Sequence, residues 1–579
     1  MASKEFKSFK DLLGGGKPAP QQEGEIRLSG DLAKRAEDAP LSEALVGGGA
    51  RERIGRRPPS FGGMEHGPER YKDVESEEMG VLASFRVRTV FPGDVLREVG
   101  QLPPDPSEED KQGRLDLRGE LIYTIDGSDA KDYDDAISIK LLPDDAYEVG
   151  VHIADVSHYV RKGTALDDEA LARATSVYLA DQVVPMLPEQ LSNNLCSLVG
   201  GRDRLAYSVL MVFDKKGQRT SATVSKSVIR SVRRNTYKDV QDLLDGVLTD
   251  ATLEMEFLRE SLEHFRKWTL LQQNLRDKKG SMRLQSSEKK FRFDERGEPK
   301  ECYEADRYFS QALIEETALA ANQAVGDLFR AKGLPTIYRV HPEKDPEEIE
   351  KLSAMLETHG IRVPKKERLT GRDIARLIVI ARKRPNAEAL VGRIMGLVER
   401  AVYEVKDHED VATHFGLARR AYLHFTSPIR RYPDLIVHRW LWAVETQLEQ
   451  AAKDLQVPEM VEDLVDIASH CSTQAEMAEM AEHTIFDLKV CQYMEPQIGK
   501  TIEAQIVRVN PAGMEVKLLA FQVHGFLPAR SIGDKVHCEG PVLKVQSGKR
   551  HFSFSEGYPI QVKIKDVDFL RLQVQLELG

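Results

Sequence analysis

Ten consecutive residues, DGSDAKDYDD from Asp126 to Asp135, carry five carboxylates and a single lysine. The apolar stretches on either side, LIYTI and AISI, are typical of buried strands, so the acidic run is enclosed by core residues. Carboxylates that are held close together repel one another and resist ionising together unless a cation neutralises them. The pattern therefore indicates a site for a hard metal ion.

Two other interpretations of the acidic run need to be considered. A charge run is often a solvated loop, and only the strand-like flanks argue against that here. An EF-hand loop needs Gly at its sixth position and Glu at its twelfth, and loops that begin at Asp126, Asp129 or Asp132 have neither. Mg²⁺ and Mn²⁺ prefer octahedral oxygen shells and leave positions for water and phosphate. Phosphodiester hydrolysis is the chemistry that such a site favours.

The segment TIDGSDAKDYDDA resembles the catalytic signature of the ribonuclease II and ribonuclease R family of exoribonucleases, the RNB domain. The resemblance continues in family order through VHIADVSHYV, TSVYLADQVVPMLPEQLSNNLCSL, YRVHPEKDPEEI and HFTSPIRRYPDLIVHR, far beyond one short motif. It implies a hydrolytic, processive 3′–5′ exoribonuclease that degrades single-stranded RNA to nucleoside 5′-monophosphates.

The resemblance also implies roles for the aspartates of the run. Asp126, Asp132, Asp134 and Asp135 match the four functional aspartates of the family and would hold Mg²⁺, or Mn²⁺, in a two-metal hydrolysis. Asp134 is the catalytic aspartate, expected beside the attacking water. Asp129 matches no family ligand, and we expect it in an exposed turn.

Arg430 in the SPIRR block is the second catalytic candidate. Ser427 and Pro428 form a helix-start signal, which would place the guanidinium at an electropositive helix end that suits a phosphate. The resemblance makes Arg430 the residue that stabilises the charged transition state. A surface ion pair is the ordinary interpretation of an isolated arginine.

Four residues are candidates for RNA binding. Tyr178 matches the family tyrosine that stacks on terminal bases, and Tyr237 matches one that positions the 3′ end. Glu482 resembles a family glutamate near the RNA backbone, and Glu316 one on the channel wall, although an exposed helical glutamate is ordinarily just solvated. Leu284 stands where the family has a phenylalanine opposite the stacking tyrosine, which leaves the length of the final product open.

We expect an α+β fold, with a mixed α/β RNB catalytic domain followed by a C-terminal OB-fold β-barrel that binds RNA. The expected segments are a Gly- and Pro-rich, largely disordered N-terminal part (1–80), a lead-in (81–118), the catalytic domain (119–450), its helical extension (451–493) and the barrel (494–579). Apolar periodicity predicts helices at Ser29–Leu45, Leu166–Ala174, Leu253–Leu275, Tyr308–Lys332, Arg372–Lys383, Val391–Val405, Asp434–Leu448 and Glu459–Gln492.

The composition narrows the remaining possibilities. The net charge of −11 means that local patches, and not the overall field, must attract RNA. No stretch approaches eighteen consecutive apolar residues, and the N-terminus lacks the apolar core of a secretory signal, so we expect a cytoplasmic protein without a membrane partner. Five scattered cysteines indicate neither a zinc site nor disulfides. No protein partner is evident.

Two features bear on the branch of the family. The N-terminal part lacks the strand alternation of the cold-shock barrels usual in the family, and the chain ends soon after the predicted barrel without the lysine-rich tail typical of ribonuclease R. The sequence therefore favours the ribonuclease II branch. Three alternatives stay open: a ribonuclease R-like enzyme that acts on structured RNA, an RNA-binding regulator without turnover, and a hydrolase of another phosphodiester such as DNA.

Overall fold

The computed structural model describes residues 76–579 except 282–287, 343, 367–368, 407–412, 447 and 456. The helix predicted at Ser29–Leu45 and Leu284 lie outside the described residues. Over the described residues the chain forms an α+β catalytic body followed by a β-barrel, which confirms the predicted fold class. No helix in this part of the chain is long and apolar enough to cross a membrane.

The described helices are α1 (Ser76–Ser84), α2 (Gly93–Gly100), α3 (Glu108–Lys111), α4 (Val156–Tyr159), α5 (Ala165–Arg173), α6 (Tyr237–Leu244), α7 (Asp250–Glu254), α8 (Arg259–Lys279), α9 (Phe309–Ala331), α10 (Pro346–Thr358), α11 (Gly371–Ala381), α12 (Ala387–Met395), α13 (Tyr432–Thr446), α14 (Leu448–Asp454) and α15 (Pro458–Met494).

The strands of the catalytic body are β1 (Leu115–Asp116), β2 (Thr124–Asp126), β3 (Asp135–Leu142), β4 (Ala146–Ala154), β5 (Val177–Tyr178), β6 (Val183–Val184), β7 (Asp203–Phe213), β8 (Arg219–Arg230), β9 (Arg234–Thr236), β10 (Lys289–Phe293), β11 (Pro299–Glu304), β12 (Thr336–Val340), β13 (Val402–Lys406), β14 (Thr413–His414) and β15 (Arg419–Arg420). The C-terminal strands are β16 (Thr501–Asn510), β17 (Gly513–Leu518), β18 (Val523–Pro528), β19 (Lys535–Glu539), β20 (Val542–Ser547), β21 (Arg550–Ser555), β22 (Pro559–Asp568) and β23 (Gln573–Leu578).

A five-stranded sheet lies at the centre of the catalytic body, with the strand order β1-β8-β7-β4-β3. The β1–β8 pair is parallel and the other neighbours are antiparallel. Most residues of β4 and β7 are buried, because the middle of the sheet is covered on both faces. Tyr207 of β7 packs edge-on against Phe425 and His438, which brings the chain before α13 onto the sheet.

Most of the predicted helices are confirmed with small shifts at their ends. The helix predicted at Leu253–Leu275 is divided, because α7 and a 3₁₀ turn precede α8. The helix predicted at Val391–Val405 is wrong in its second half, since α12 ends at Met395 and VYEVK forms β13. β13 pairs with β12, and helical periodicity carries no information about such a distant partner.

The C-terminal domain is a closed barrel with the strand order β16-β17-β18-β23-β22, which confirms the predicted barrel. A separate sheet of β19, β20 and β21 is inserted between β18 and β22. The apolar core of the barrel continues into the catalytic body through Cys491 and Met494 of α15 and Phe291 of β10. The barrel therefore shares a core with the catalytic body.

A buried polar contact joins the end of the inserted sheet to the helical region of α10 to α12. The Glu556 carboxylate is fully buried and accepts hydrogen bonds from Arg393 and, at 3.1 Å, from Asn386 Nδ2. His359 Nε2 lies 3.6 Å from Glu556 Oε2. Because an uncompensated buried charge is costly, these groups fix the two regions against each other.

Substitution of Gly326 should weaken the packing of α9. A Cβ atom at this position would lie 1.9 Å from the backbone oxygen of Ala421, in the segment that leads to the SPIRR block. We expect Gly326→Ala to lower the free energy of unfolding in urea by about 1–3 kcal/mol. Gly392 on α12 has open space around it, so Gly392→Ala should raise that free energy by about 0.5–1 kcal/mol. Equal effects of the two substitutions would contradict the packing described here.

The contact of His524 with the catalytic body should make stability depend on pH. His524 of β18 lies 3.3 Å from Glu388 of α12 and 2.9 Å from Glu515 of β17. Burial disfavours the imidazolium, but the two carboxylates outweigh burial and raise the pKa of His524. The stabilisation is therefore complete below the pKa of the unfolded chain and is lost as pH rises through the folded pKa.

The measurement is the free energy of unfolding in urea at about pH 6 and about pH 9. His524→Gln should cost about 0.5–1 kcal/mol more at the lower pH, because the charged contact is only partly shielded from water. His551→Gln, at an exposed position of β21, is the control and should show no such difference. A pH-independent loss in His524→Gln would argue against the ion pair.

Candidate active site

The acidic run forms the loop between β2 and β3, and both of its ends belong to paired strands. β2 pairs in parallel with β9, so that Asp126 lies opposite Thr236. β3 is an edge strand of the central sheet, and Asp135 lies opposite Ile153 of β4. Strand pairing therefore fixes the first and the last aspartate of the run.

The backbone of the loop is held by the LSNNLCSL block. Ser197 Oγ accepts a hydrogen bond of 2.9 Å from the Tyr133 amide. The Leu198 amide donates to the backbone oxygen of Tyr133 at 3.0 Å. The Ala154 amide donates to the backbone oxygen of Asp134 at 2.9 Å. These bonds keep Asp134 directed into the protein in spite of its charge.

Asp134 is the most enclosed carboxylate of the run, with an exposed fraction of 5%. Its Oδ1 accepts a 2.8 Å hydrogen bond from the Ile429 amide, and its Oδ2 lies 3.6 Å from Arg430 Nε. Burial raises the pKa of Asp134 well above its ordinary value, and Asp132 adds to this effect while Arg430 opposes it. The predicted pair of catalytic residues, Asp134 and Arg430, is therefore brought together.

The other two perturbed carboxylates lie at the ends of the loop. Burial, reinforced by repulsion from Asp135, raises the pKa of Asp126 to about 8. Burial also raises the pKa of Asp135 to about 6, although Arg430 and Arg431 act in the opposite direction. The Oδ2 atom of Asp126 is buried and has no hydrogen-bond partner among the described residues. These carboxylates therefore resist ionising together unless a cation compensates their charge.

The chemistry of these donors suits a hard cation. They are buried carboxylate oxygens that repel one another, and one of them has no partner among the described residues. In the part of the chain that the structure describes, however, no three His, Cys, Asp or Glu side chains are arranged so that they could hold a metal ion. Three of these carboxylates are therefore not gathered around one point in this structure, and the metal role of Asp126, Asp132, Asp134 and Asp135 stays a prediction.

Arg430 lies in the turn that directly precedes α13, close to the N-terminal end of this helix, which begins at Tyr432. Asp434 fixes this turn, since its Oδ1 accepts from the Ser427 amide and from Arg431 Nη2, both at 2.8 Å. Arg430 Nη2 donates to Ser427 Oγ at 3.0 Å. About 40% of the Arg430 side chain is exposed, so it can still reach a ligand.

Hydrogen bonds from the backbone of Tyr178 and from the residues before it hold Tyr178 beside this turn. The Tyr178 amide donates a 2.7 Å hydrogen bond to Glu482 Oε1 of α15. The Ser176 amide and Thr175 Oγ1 donate to the backbone oxygen of Arg430 at 3.1 and 3.2 Å. Since 39% of Tyr178 is exposed, its ring is available for stacking. Glu482 positions Tyr178 in this structure, and direct contact of Glu482 with RNA stays a prediction.

The two other predicted RNA-binding residues differ in their surroundings. Tyr237 is the first residue of α6. Burial raises the pKa of its hydroxyl, and the negative charges of Asp135 and Asp126 raise it further. Glu316 of α9 is 1% exposed, and its Oε1 lies 3.2 Å from Arg276 of α8. That burial differs from the open channel wall expected for Glu316, and its role towards RNA stays a prediction.

One residue that supports the site was not singled out from the sequence. Arg234 Nη2 donates to the backbone oxygens of Gly127 and Ser128 at 2.8 and 2.9 Å, and its guanidinium lies 5.5 Å from the centre of the Tyr133 ring. Arg234 lies in the segment RRNTY (233–237), three residues before the predicted site residue Tyr237, and this proximity was the only indication of its role in the sequence. By contrast, Asp129 lies in an exposed turn, as predicted.

Two domain families match the chain. The RNB domain matches residues 114–447, and the S1 RNA binding domain matches residues 495–579. The first match contains the four aspartates and Arg430, and the second coincides with the barrel and its inserted sheet. Both matches agree with the domains that the structure shows.

The curated relatives include ribonuclease R from Thermotoga maritima, which is 36% identical over 493 residues, 84% of this chain and 68% of that protein. Ribonuclease R 2 from Lactococcus lactis is 37% identical over 456 residues, 77% of this chain and 66% of that protein. The chain thus spans about two thirds of the length of the relatives it matches. Their names favour the ribonuclease R branch over the predicted ribonuclease II branch. That prediction relied in part on a tail beyond the matched domains, which is a weak guide to the branch.

A solved structure agrees with these matches. Mycoplasma genitalium RNase R in complex with ribose methylated single-stranded RNA superimposes with a TM-score of 0.77 and 26% identity, over 87% of this chain and 77% of that one. The same Mycoplasma protein in complex with double-stranded RNA gives a TM-score of 0.73. Together with an RNB match over more than half of the residues, these findings show that the chain belongs to the RNB family of exoribonucleases.

Proposed function

We propose that the protein is a hydrolytic, processive 3′–5′ exoribonuclease of the ribonuclease R type, which degrades single-stranded RNA to nucleoside 5′-monophosphates. The observation that carries the proposal is the meeting of the buried Asp134 carboxylate with Arg430, next to a loop rich in aspartates. An anionic group and an exposed guanidinium at one place suit a reaction that binds a cation and a phosphate together.

Asp126, Asp132, Asp134 and Asp135 would hold Mg²⁺ or Mn²⁺, with two ions in the proposed mechanism. Such ions, when bound, make water nucleophilic at neutral pH and stabilise the departing oxygen. The protein prepares for them by burying the carboxylates, which makes the cluster unstable as a set of separate anions.

Arg430 and the two tyrosines would hold the substrate. The Arg430 guanidinium is planar and donates several hydrogen bonds in fixed directions, which suits the oxygens of a phosphate. The exposed ring of Tyr178 can stack on a base without reading its identity. The Tyr237 hydroxyl, close to the aspartates, would position the 3′ end, and Glu482 would keep Tyr178 in place.

Degradation of end-labelled single-stranded RNA tests the proposal directly. Mononucleotides should be released from the 3′ end with Mg²⁺ or Mn²⁺ and not with a chelator. Tight binding without degradation would instead support an RNA-binding regulator, and equal degradation of the matching DNA strand would support a general phosphodiesterase. Because the related Mycoplasma protein is known in complex with double-stranded RNA, we propose that a duplex with a 3′ overhang is also digested.

Asp134→Asn should abolish turnover and leave the fold intact. The amide oxygen can still accept the hydrogen bond from the Ile429 amide, whereas the negative charge that faces Arg430 is removed. We expect the degradation rate to fall by at least about a hundredfold. The unfolding temperature should stay the same or rise, because the variant no longer buries a poorly compensated charge. Asp129→Asn, in the exposed turn of the same loop, is the control and should degrade RNA at the normal rate.

Arg430→Lys should reduce the rate although it keeps the positive charge. A lysine cannot donate in the planar, bidentate manner of a guanidinium, so we expect a fall in kcat of about tenfold or more. Arg97→Lys at an exposed position of α2 serves as the control. An unchanged kcat in Arg430→Lys would remove Arg430 from the reaction.

A further inference from the structure

Two arginines outside the aspartate site have no carboxylate within ion-pair distance among the described residues. Arg339 of β12 and Arg419 of β15 are both half-buried, and neither forms an ion pair with a carboxylate among the described residues. The Arg339 guanidinium lies 4.5 Å from the centre of the Tyr403 ring. Burial lowers the pKa of both arginines. Glu479 acts on the charge of Arg339 and Glu316 on that of Arg419, but neither carboxylate is close enough to form an ion pair. The guanidinium donors of both arginines therefore suit an anionic ligand.

The two arginines belong to one cluster. His414 lies opposite Arg419 in the β14–β15 pair. The rings of His414 and His341 have their centres 4.3 Å apart, and His341 follows Arg339 by two residues. Tyr422 packs edge-on against His414 at 5.3 Å, and its hydroxyl influences the charge of both arginines. Arg339 and Arg419 are therefore joined by a pair of neighbouring imidazoles.

The histidines of the cluster add hydrogen-bonding groups and no charge. Burial, together with the nearby Arg339, lowers the pKa of His341 to about 4 and that of His414 to about 3. His414 Nδ1 accepts a 3.3 Å hydrogen bond from the Leu417 amide, so the neutral ring carries its proton on Nε2. The positive charge of the cluster therefore comes from its arginines, and His414 supplies a neutral donor beside them.

The cluster is continuous with the catalytic residues. The Tyr403 ring beside Arg339 is linked to His424 by a 2.9 Å hydrogen bond between the Tyr403 hydroxyl and His424 Nδ1, and His424 belongs to the block that carries Arg430. Arg431 is held by Asp434, which also holds the turn that carries Arg430. A polyanion whose end lies at the aspartates would therefore extend from Arg430 towards Arg339. A small anion would need only one of these two arginines, whereas two arginines that lie near each other in space suit successive phosphates of one strand.

We propose that Arg339, Arg419 and His414 form a second phosphate-binding subsite, which grips the backbone of the RNA strand away from the bond that is cut. The inference rests on the proposed function, because it assumes that the 3′ end of the strand lies at the aspartates. Guanidinium groups bind phosphate oxygens in a bidentate manner. Grip on the backbone does not depend on base identity, so the subsite holds any sequence.

Equilibrium binding without cleavage tests the subsite. The anisotropy of labelled RNA of about 20 nucleotides and of about 3 nucleotides is measured in chelator with Arg339→Gln, Arg419→Gln and the control Arg330→Gln, which lies at an exposed position of α9. The first two variants should bind the long RNA about tenfold more weakly. The slope of log K against log salt should fall by about 0.7 for each phosphate that the variant no longer binds, and Arg339→Lys should retain most of the slope. Binding of the short RNA should not change.

Two results would overturn the subsite. Long-RNA affinities of Arg339→Gln and Arg419→Gln that equal that of Arg330→Gln would show that no phosphate is bound there. An equal loss of affinity for long and short RNA would place the defect at the catalytic residues or in the fold, which circular dichroism distinguishes. A failure of the wild-type protein to degrade RNA in Mg²⁺ would refute the proposed function and leave this binding result unaffected.

Discussion

The burial of like-charged carboxylates between two sets of paired strands is the constraint on which the rest of the site depends. Asp134 is placed where its own ionisation is disfavoured, and it is kept there by the Ile429 amide and by bonds to the loop backbone. Such an arrangement costs free energy in the unliganded protein. In the proposed function, this cost favours the binding of a cation at the site.

The surrounding elements hold the cluster together. The LSNNLCSL block fixes the middle of the acidic loop, Arg234 holds its first turn, and Asp434 fixes the turn that carries Arg430. These groups come from distant parts of the sequence, and each makes hydrogen bonds mainly to backbone atoms. Positions fixed through the backbone leave the side chains of Arg430 and Tyr178 partly exposed beside the acidic loop.

Signals that are local in sequence predicted much of this arrangement. The acidic run with apolar flanks indicated the site, the blocks around Tyr178 and Arg430 indicated the family, and period-two alternation indicated the barrel. Contacts between distant residues could not be predicted. The periodicity of the β13 segment fits the end of a helix, and only its pairing with β12 shows that it is a strand. The burial of Glu316 depends on its ion pair with Arg276 of another helix. The absence of an ion-paired carboxylate at Arg339 and Arg419 among the described residues likewise depends on three-dimensional surroundings.

The helix α15, of 37 residues, has a mechanical consequence. At 1.5 Å per residue it is about 55 Å long, and its last turns belong to the core that it shares with the barrel. Glu482, which holds the Tyr178 amide, lies on the same rod, only about three turns before those residues. A tilt of the barrel would thus move a rigid helix that also holds Tyr178 beside the turn of Arg430, so the position of the barrel and that of the exposed ring are mechanically connected.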